Sequence, residues 1–223
     1  MKKNGVIFTT LAIFLSLLQG CGSISAPTPI PVSELTNAEL IQILENLENP
    51  NYAPSAYPRY LVVDELEKRG PSAAAAAPVL AKSMAYNERG SYQASEALIA
   101  IGPSAQSAIP YLVQNLNNNR EEVRRHSIFV LGILGESSSC AVPKIALLLW
   151  DKEPYVRSVS AGALTEITNE NLVEFEDFRL DPALPGSVNP DEPEGSFTKI
   201  AREWWLNVGQ NIIWPTENCE LPE

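Results

Sequence analysis

GPSAAAAAPVL (70–80) recurs as GPSAQSAIPYL at 102–112 and as GESSSCAVPKI at 135–145. Successive copies of this pattern begin 32 and 33 residues apart. A fixed period of this length is typical of stacked helix pairs, in which each pair buries its apolar face against its neighbours. The sequence therefore predicts an all-α fold, an α-solenoid of about four units over residues 36–169.

Other positions of the period also repeat and indicate where the helices lie. One column, expected to face the core, holds four leucines: Leu66, Leu98, Leu131 and Leu164. The glycines that open the three copies, at 70, 102 and 135, stand where a helix ends and a left-handed residue is favoured. The second helices are predicted over 90–101, 123–134 and 156–167. The buried face of the middle one is predicted to hold Val123, Ser127, Val130, Leu131 and Leu134.

Prolines at 78, 110 and 143 lie several residues into each first segment. A proline inside a helix removes a backbone hydrogen bond and clashes with the preceding turn. Either a short opening turn precedes the main helix, or the helix is kinked at the proline. The first unit is irregular, and it begins at Thr36, which has Glu39 three residues on, as in a capping box.

EEVRRHSIFVLGILG (121–135) and PYVRSVSAGALTEIT (154–168) resemble HEAT-type repeats, specifically the HEAT-like class named after phycobilisome lyases. Both segments carry a Val-Arg pair near the start of the helix and small residues within it. The resemblance covers 58–168 strongly and 36–57 weakly, and it implies a right-handed α-solenoid of HEAT-like helix pairs. It is specific for the fold and unspecific for function.

One column of the repeat holds Arg59, Arg124 and Arg157, and Ser91 interrupts it. We expect these arginines to bond helix-end carbonyls or an acid in a neighbouring turn, such as Asp151. The alternative is that they grip an anionic ligand, although the net acidity of the chain weighs against it.

The N-terminal segment has the features of an export signal. Lys2 and Lys3 precede the apolar run 6–18, and Leu-Gln-Gly-Cys at 18–21 resembles the lipobox of bacterial lipoproteins. The run suits a signal peptide better than a permanent membrane span. We expect residues 1–20 to be removed, Cys21 to be lipidated and 21–35 to form a proline-rich tether. Plain secretion and an uncleaved anchor are the alternatives, and each places the protein outside the cytoplasm.

The charge of the chain excludes some partners. The formal charge is −11, and removal of 1–20 with its two lysines makes it −13, from 27 acids and 14 basic residues. Nucleic acids and anionic lipid surfaces are bound through clustered cations. We therefore expect no nucleic-acid partner, and membrane contact only through the lipid on Cys21.

The end of the chain departs from the period. Residues 170–195 are acidic and proline-rich and predict a surface loop, and 196–223 predict a tryptophan-rich cap and tail. Ser196 is expected to cap the last helix and Gly209 to end it, with one face formed by Phe197, Ile200, Trp204 and Val208.

We expect this helix to cover the open end of the stack, as terminal units of repeat proteins must. The alternative is that Trp204, Trp205 and Trp214 form a ligand or partner site. Cys140 and Cys219 either pair as a disulfide or remain two free thiols, and the sequence leaves both open.

The sequence offers little for catalysis. It has one histidine, His126, in a variable column that predicts a surface or edge position. No nucleophile elbow, phosphate-binding glycine loop or paired-cysteine motif is present. We therefore predict no catalytic site, no metal and no cofactor.

The candidate binding surface lies opposite the leucine column, on the face that second helices usually present on the concave side of HEAT-type proteins. It comprises Tyr60, Tyr92, Glu96, Arg125 and Phe129. A scatter of exposed residues without a ligand is the alternative.

The sequence thus predicts an exported, lipid-anchored, non-enzymatic protein-interaction scaffold, membrane-anchored and facing the periplasm or cell exterior. One alternative, by family analogy, is a lyase-related protein acting on a chromophore or another modified protein. Another is a structural envelope protein without a discrete ligand.

Overall fold

A computed structural model of the chain describes residues 30–46, 57–85, 88–173 and 198–221, with no side-chain description for 88 and 89. The described residues form helices and no strand, so the predicted all-α class is confirmed. The predicted signal peptide, Cys21, Ser196, Phe197 and most of the tether and acidic loop lie outside the described residues.

The α-helices of the described residues are α1 Asn37–Asn46, α2 Arg59–Arg69, α3 Ala77–Ser83, α4 Glu88–Ile101, α5 Ile109–Asn115, α6 Glu121–Ile133, α7 Val142–Leu147, α8 Pro154–Thr168 and α9 Lys199–Asn207. The predicted second helices thus exist as α4, α6 and α8, each beginning about two residues earlier than expected. Thr36 and Glu39 form the predicted capping box. The backbone N–H of Thr36 donates to the carboxylate of Glu39 at 2.7 Å, and the backbone N–H of Glu39 donates to the hydroxyl of Thr36 at 3.3 Å.

Each of α3, α5 and α7 follows a seven-residue 3-10 helix, over Gly70–Ala76, Gly102–Ala108 and Gly135–Ala141. The three prolines therefore lie in the first turn of an α-helix, where a missing N–H costs nothing. The first predicted alternative, a short opening turn before the main helix, is therefore correct, and the alternative of a helix kinked at the proline is wrong. The glycines that begin the 3-10 helices have positive φ angles of 52°, 65° and 57°, as predicted for these helix ends, although Gly70, with ψ −130°, lies outside the left-handed helical region.

The second helices pack in chain order: α4 contacts α2 and α6, and α6 contacts α8. On the other side of this row, α3 contacts α1 and α5. The leucine column lies between them with at most 1% of any side chain exposed. All five residues predicted for the buried face of α6 are also buried.

The C-terminal helix α9 closes against the end of this arrangement. Arg202 donates from Nε and Nη2 to the carbonyl of Leu149 at 3.0 and 2.6 Å, and its guanidinium lies 5.4 Å from the Trp150 ring centre. Trp204, Trp205 and Trp214 pack, partly buried, against the core.

Two details of the predicted last helix are wrong. Helix α9 begins at Lys199 with Thr198, and not Ser196, at its N-cap position. It ends at Asn207 with Val208 as its C-cap, so Gly209 is the next residue, as predicted, but Val208 leaves the helical region with φ −127° and ψ −62°. Val208 is consequently 49% exposed and is not on the buried face. Gly209 lies under two indole rings, and a Cβ there would come within 2.7 Å of Trp204 and Trp205.

A disulfide joins Cys140 to Cys219, so the paired alternative is the correct one. It ties the short 3-10 helix Glu217–Cys219 to the 3-10 helix that precedes α7. Within the described ranges, no helix combines the length and apolar character that a membrane crossing requires.

Replacing both bridge cysteines by serine should lower the free energy of unfolding by about 4 kcal/mol, because a long closed loop restricts the unfolded chain. The loop spans 79 residues. Urea unfolding measures the loss, and dithiothreitol should produce it in the wild type but not in the Cys140→Ser/Cys219→Ser variant. An unfolding curve of the wild type that does not respond to dithiothreitol would contradict this expectation.

Candidate functional site

Arg124, in the first turn of α6, forms a bidentate ion pair with Asp151, in the turn that precedes α8. Nε and Nη2 of the arginine lie 2.9 and 2.8 Å from the two carboxylate oxygens, and both side chains are less than a tenth exposed. Nη1 of Arg124 donates to the carbonyls of Asn118 and Asn119. Four of the five guanidinium N–H groups therefore have acceptors supplied by the protein.

The other arginines of the column make contacts of the same kind. Arg157 donates to the carbonyls of Asp151 and Lys152 at 2.9 and 3.1 Å. Arg59 donates to the carbonyl of Ser83, at the end of α3, at 3.0 Å. These are the structural contacts expected from the sequence, and they do not support the alternative that the arginines bind an anionic ligand.

Sequence reasoning missed two further arginines with this role. Arg120 donates to the carbonyls of Met84 and Ala85, and Arg202 donates to that of Leu149. Neither falls in the Val-Arg column, so the period gave no signal for them.

The five residues of the predicted concave surface are not all exposed. Tyr60 and Tyr92 are 50% and 41% exposed, on the neighbouring helices α2 and α4. Glu96 and Arg125 are half-buried. Phe129, the expected apolar contact of the face, is only 4% exposed, so its inclusion is wrong.

We attribute the burial of Phe129 to its position on α6, which has a second helix on each side. Gly162 is the position of α8 aligned with Phe129, Ser158 is the one aligned with Arg125, and both are buried. Small residues let two helices approach closely, and we attribute the covering of the Phe129 ring to the close approach of α8 to α6. The predicted surface is thereby reduced to the two tyrosines and the edges of Glu96 and Arg125.

His126 is also misplaced by the sequence prediction, because its side chain is 4% exposed. Its Nδ1 lies 2.9 Å from the hydroxyl of Ser91, and its ring packs edge-on against Tyr92 with centroids 5.9 Å apart. Ser91 is the residue that interrupts the arginine column. A small hydroxyl residue thus replaces arginine at one position of this column. In a sequence with one histidine, this departure from the repeat is the signal that could have indicated the Ser91–His126 contact.

The environment of His126 favours its neutral form. Burial lowers the pKa of the imidazole to about 4, and the nearby charge of Arg125 contributes in the same direction. The Ser91 hydroxyl is fully buried and also lies 3.3 Å from the carbonyl of Glu122. A substrate cannot reach this hydroxyl in the described structure, so we interpret the pair as a packing contact.

A second concave surface, the C-terminal cleft, lies between the end of α8 and the chain that follows α9. Its volume is ≈ 690 Å³. The wall includes Glu136, Glu166, Glu170, Trp204, Ile213 and Trp214. Asn169, in the left-handed conformation with φ 57°, ends α8 at its edge. The described residues contain no cluster of His, Cys, Asp or Glu suited to a metal ion.

Comparison with known proteins adds no assignment to this geometry. No family model matches the chain, and no curated protein shows significant similarity to it.

Arg124→Ala should lower the free energy of unfolding by about 3 kcal/mol, because it leaves the Asp151 carboxylate buried without its cation. The matched control is Lys152→Ala, whose partner Glu153 is 3.7 Å away in an ion pair with a 76% exposed lysine. We expect little change in that variant, since exposed pairs contribute little. Equal losses in the two variants, measured by urea unfolding, would show that the buried pair has no special role.

The stability of the protein should fall as the pH drops from about 7 to about 4, by up to about 3 kcal/mol from His126 alone. In this range the unfolded histidine, with an ordinary pKa near 6.5, takes up a proton that the folded one, with its pKa lowered to about 4, does not. Above pH 7.5 both forms are neutral and the contribution is constant. Urea unfolding across this pH range should show a shallower decline for His126→Gln, and parallel profiles would contradict the assignment.

Proposed function

We propose that the chain is a non-enzymatic protein-interaction scaffold, exported and held at a membrane by lipid on Cys21. We propose further that its helices form a right-handed HEAT-like α-solenoid. The contacts of α2, α4, α6 and α8 in chain order support this arrangement, as do the repeated 3-10 helix and α-helix pairs. The lipobox-like residues 18–21 support the anchor.

The observation that carries the binding function is the pair of exposed tyrosines. Tyr60 and Tyr92 are equivalent positions of successive units, 32 residues apart, and stay half exposed on contacting helices. Tyrosine offers a large apolar ring and a hydroxyl at a low cost in side-chain entropy, which is why it is enriched in protein interfaces. Two such rings on adjacent helices form a suitable anchor for a partner.

The framework under the tyrosines is preorganised. Arg59 donates to the carbonyl of Ser83 and Arg120 to those of Met84 and Ala85, so the end of α3 is held from two neighbouring units. Tyr92 rests on the buried ring of His126. A partner that binds here therefore orders little of the chain, and less of its binding energy is lost.

A photo-crosslinking amino acid at position 60 or 92 should capture the same protein in intact cells, and the same probe at 147 should not. Leu147 is the control because it is 67% exposed but lies on α7, among the first helices. Tyr60→Ser/Tyr92→Ser should lose the partner in co-purification at least tenfold, while Leu147→Ser retains it. In the same cells, Cys21→Ser should move the protein out of the membrane fraction.

Identical products from all three positions, or equal co-purification with both serine variants, would contradict the tyrosine surface. Retention of the Cys21→Ser protein in the membrane fraction would contradict the lipid anchor without affecting the binding proposal.

A further inference from the structure

The C-terminal cleft has features of a binding site that the scaffold proposal does not use. Three carboxylates reach its wall from different segments: Glu136 from a 3-10 helix, Glu166 from α8 and Glu170 from the residues after it. Among the residues that the structure describes, no lysine or arginine lines the cleft. None of the three forms an ion pair with another described residue. The wall therefore presents negative charge that the described protein leaves uncompensated.

The same wall is apolar and aromatic in its other half. Ile213 is 98% exposed, Ile212 beside it is 43% exposed, and Trp204 and Trp214 are partly buried. The indole N–H of Trp214 already donates to the carbonyl of Gly209 at 3.0 Å, so this residue offers its ring rather than a hydrogen-bond donor. A nearly fully exposed isoleucine beside two indoles forms an apolar surface that gains stability when it is covered.

The apolar half of the cleft is held in a fixed position. Trp204 and Trp214 pack edge to face with centroids 6.3 Å apart, and both contact the core. Five residues after Trp214, Cys219 is bonded to Cys140. The tail that carries Ile213 is thus fastened on both sides, which lowers the ordering cost of binding.

We propose that the C-terminal cleft binds a basic peptide segment of another protein in which cationic and apolar side chains alternate. The carboxylates accept hydrogen bonds and offer none, so they select lysine or arginine over neutral or acidic groups. An arginine also stacks on an indole face. The apolar side chains of the segment cover Ile212 and Ile213.

Charge complementarity disfavours occupants from the chain itself. A second copy carries a formal charge of −11. The chain's own segment 174–197 contains seven acidic residues and one arginine, and its charge has the same sign as the wall of the cleft. The favoured occupant is therefore a cationic partner.

The test uses the purified full chain and three blocked hexapeptides in which leucine alternates with arginine, serine or glutamate. Binding is followed by tryptophan fluorescence, to which Trp204 and Trp214 contribute, and by titration calorimetry. The arginine peptide should bind at least tenfold more tightly than the serine peptide and lose affinity at high salt. The glutamate peptide should not bind.

Two variants test whether the peptide binds at the C-terminal cleft. Glu166→Gln/Glu170→Gln should weaken the arginine peptide at least tenfold, and Ile213→Ser should weaken it without altering the salt dependence. The matched control is Glu34→Gln/Glu45→Gln, which removes the same charge from exposed positions of the first unit and should leave the affinity unchanged.

Equal loss in the control variant would overturn the proposal, because it would show attraction to the overall charge of the protein. No binding of the arginine peptide at millimolar concentration would overturn it as well. So would fluorescence quenching by a chitooligosaccharide in place of the peptide, which would indicate a glycan site. Tyr60→Ser/Tyr92→Ser should bind the peptide normally, so failure of the scaffold proposal and failure of this one are distinguishable.

Discussion

Carbonyl groups at the ends of the first helices and in the turns after them are the constraint on which the arrangement of this protein depends. These groups have no partner within a helix, and packing them between stacked units is costly unless donors are supplied. Five arginines supply the donors: Arg59, Arg120, Arg124, Arg157 and Arg202. Several of these bonds cross from one unit to the next or to the cap. The same groups that satisfy the backbone therefore also fix the spacing of the helices.

The period predicts the second helices, the glycine turns and the buried leucine column, and the spacing of Thr36 and Glu39 predicts the capping box, because each depends on local chemistry or on position within a helix. The candidate surface was predicted less well. A column shows which side of a helix a residue occupies but not which neighbour covers that side. Phe129 and His126 were expected at the surface and are buried, since α6 is flanked by other helices and Ser91 leaves room for the imidazole. Arg202 bonds across 53 residues, a relation that the period does not encode.

The two candidate surfaces differ in chemistry and in position. The tyrosine surface lies on α2 and α4, near the start of the described helices, and it offers amphipathic rings. The C-terminal cleft lies at the other end and combines carboxylates with indoles and exposed isoleucines. Hydrogen bonds between units and one apolar core join the helices that carry the two surfaces. Under both proposals, one molecule would bind two ligands of different chemistry at opposite ends of the described helices.

The Cys140–Cys219 bridge makes part of the polypeptide a covalent ring. The ring contains α7, α8 and α9 together with the acidic, proline-rich segment 174–197. A protease that cuts one peptide bond within this ring produces two chains that remain joined through sulfur. Neither the C-terminal helix nor the tryptophans are released by such a cut. Under oxidising conditions, in which disulfides persist, this gives the end of the protein a tolerance to nicking that noncovalent packing alone does not provide.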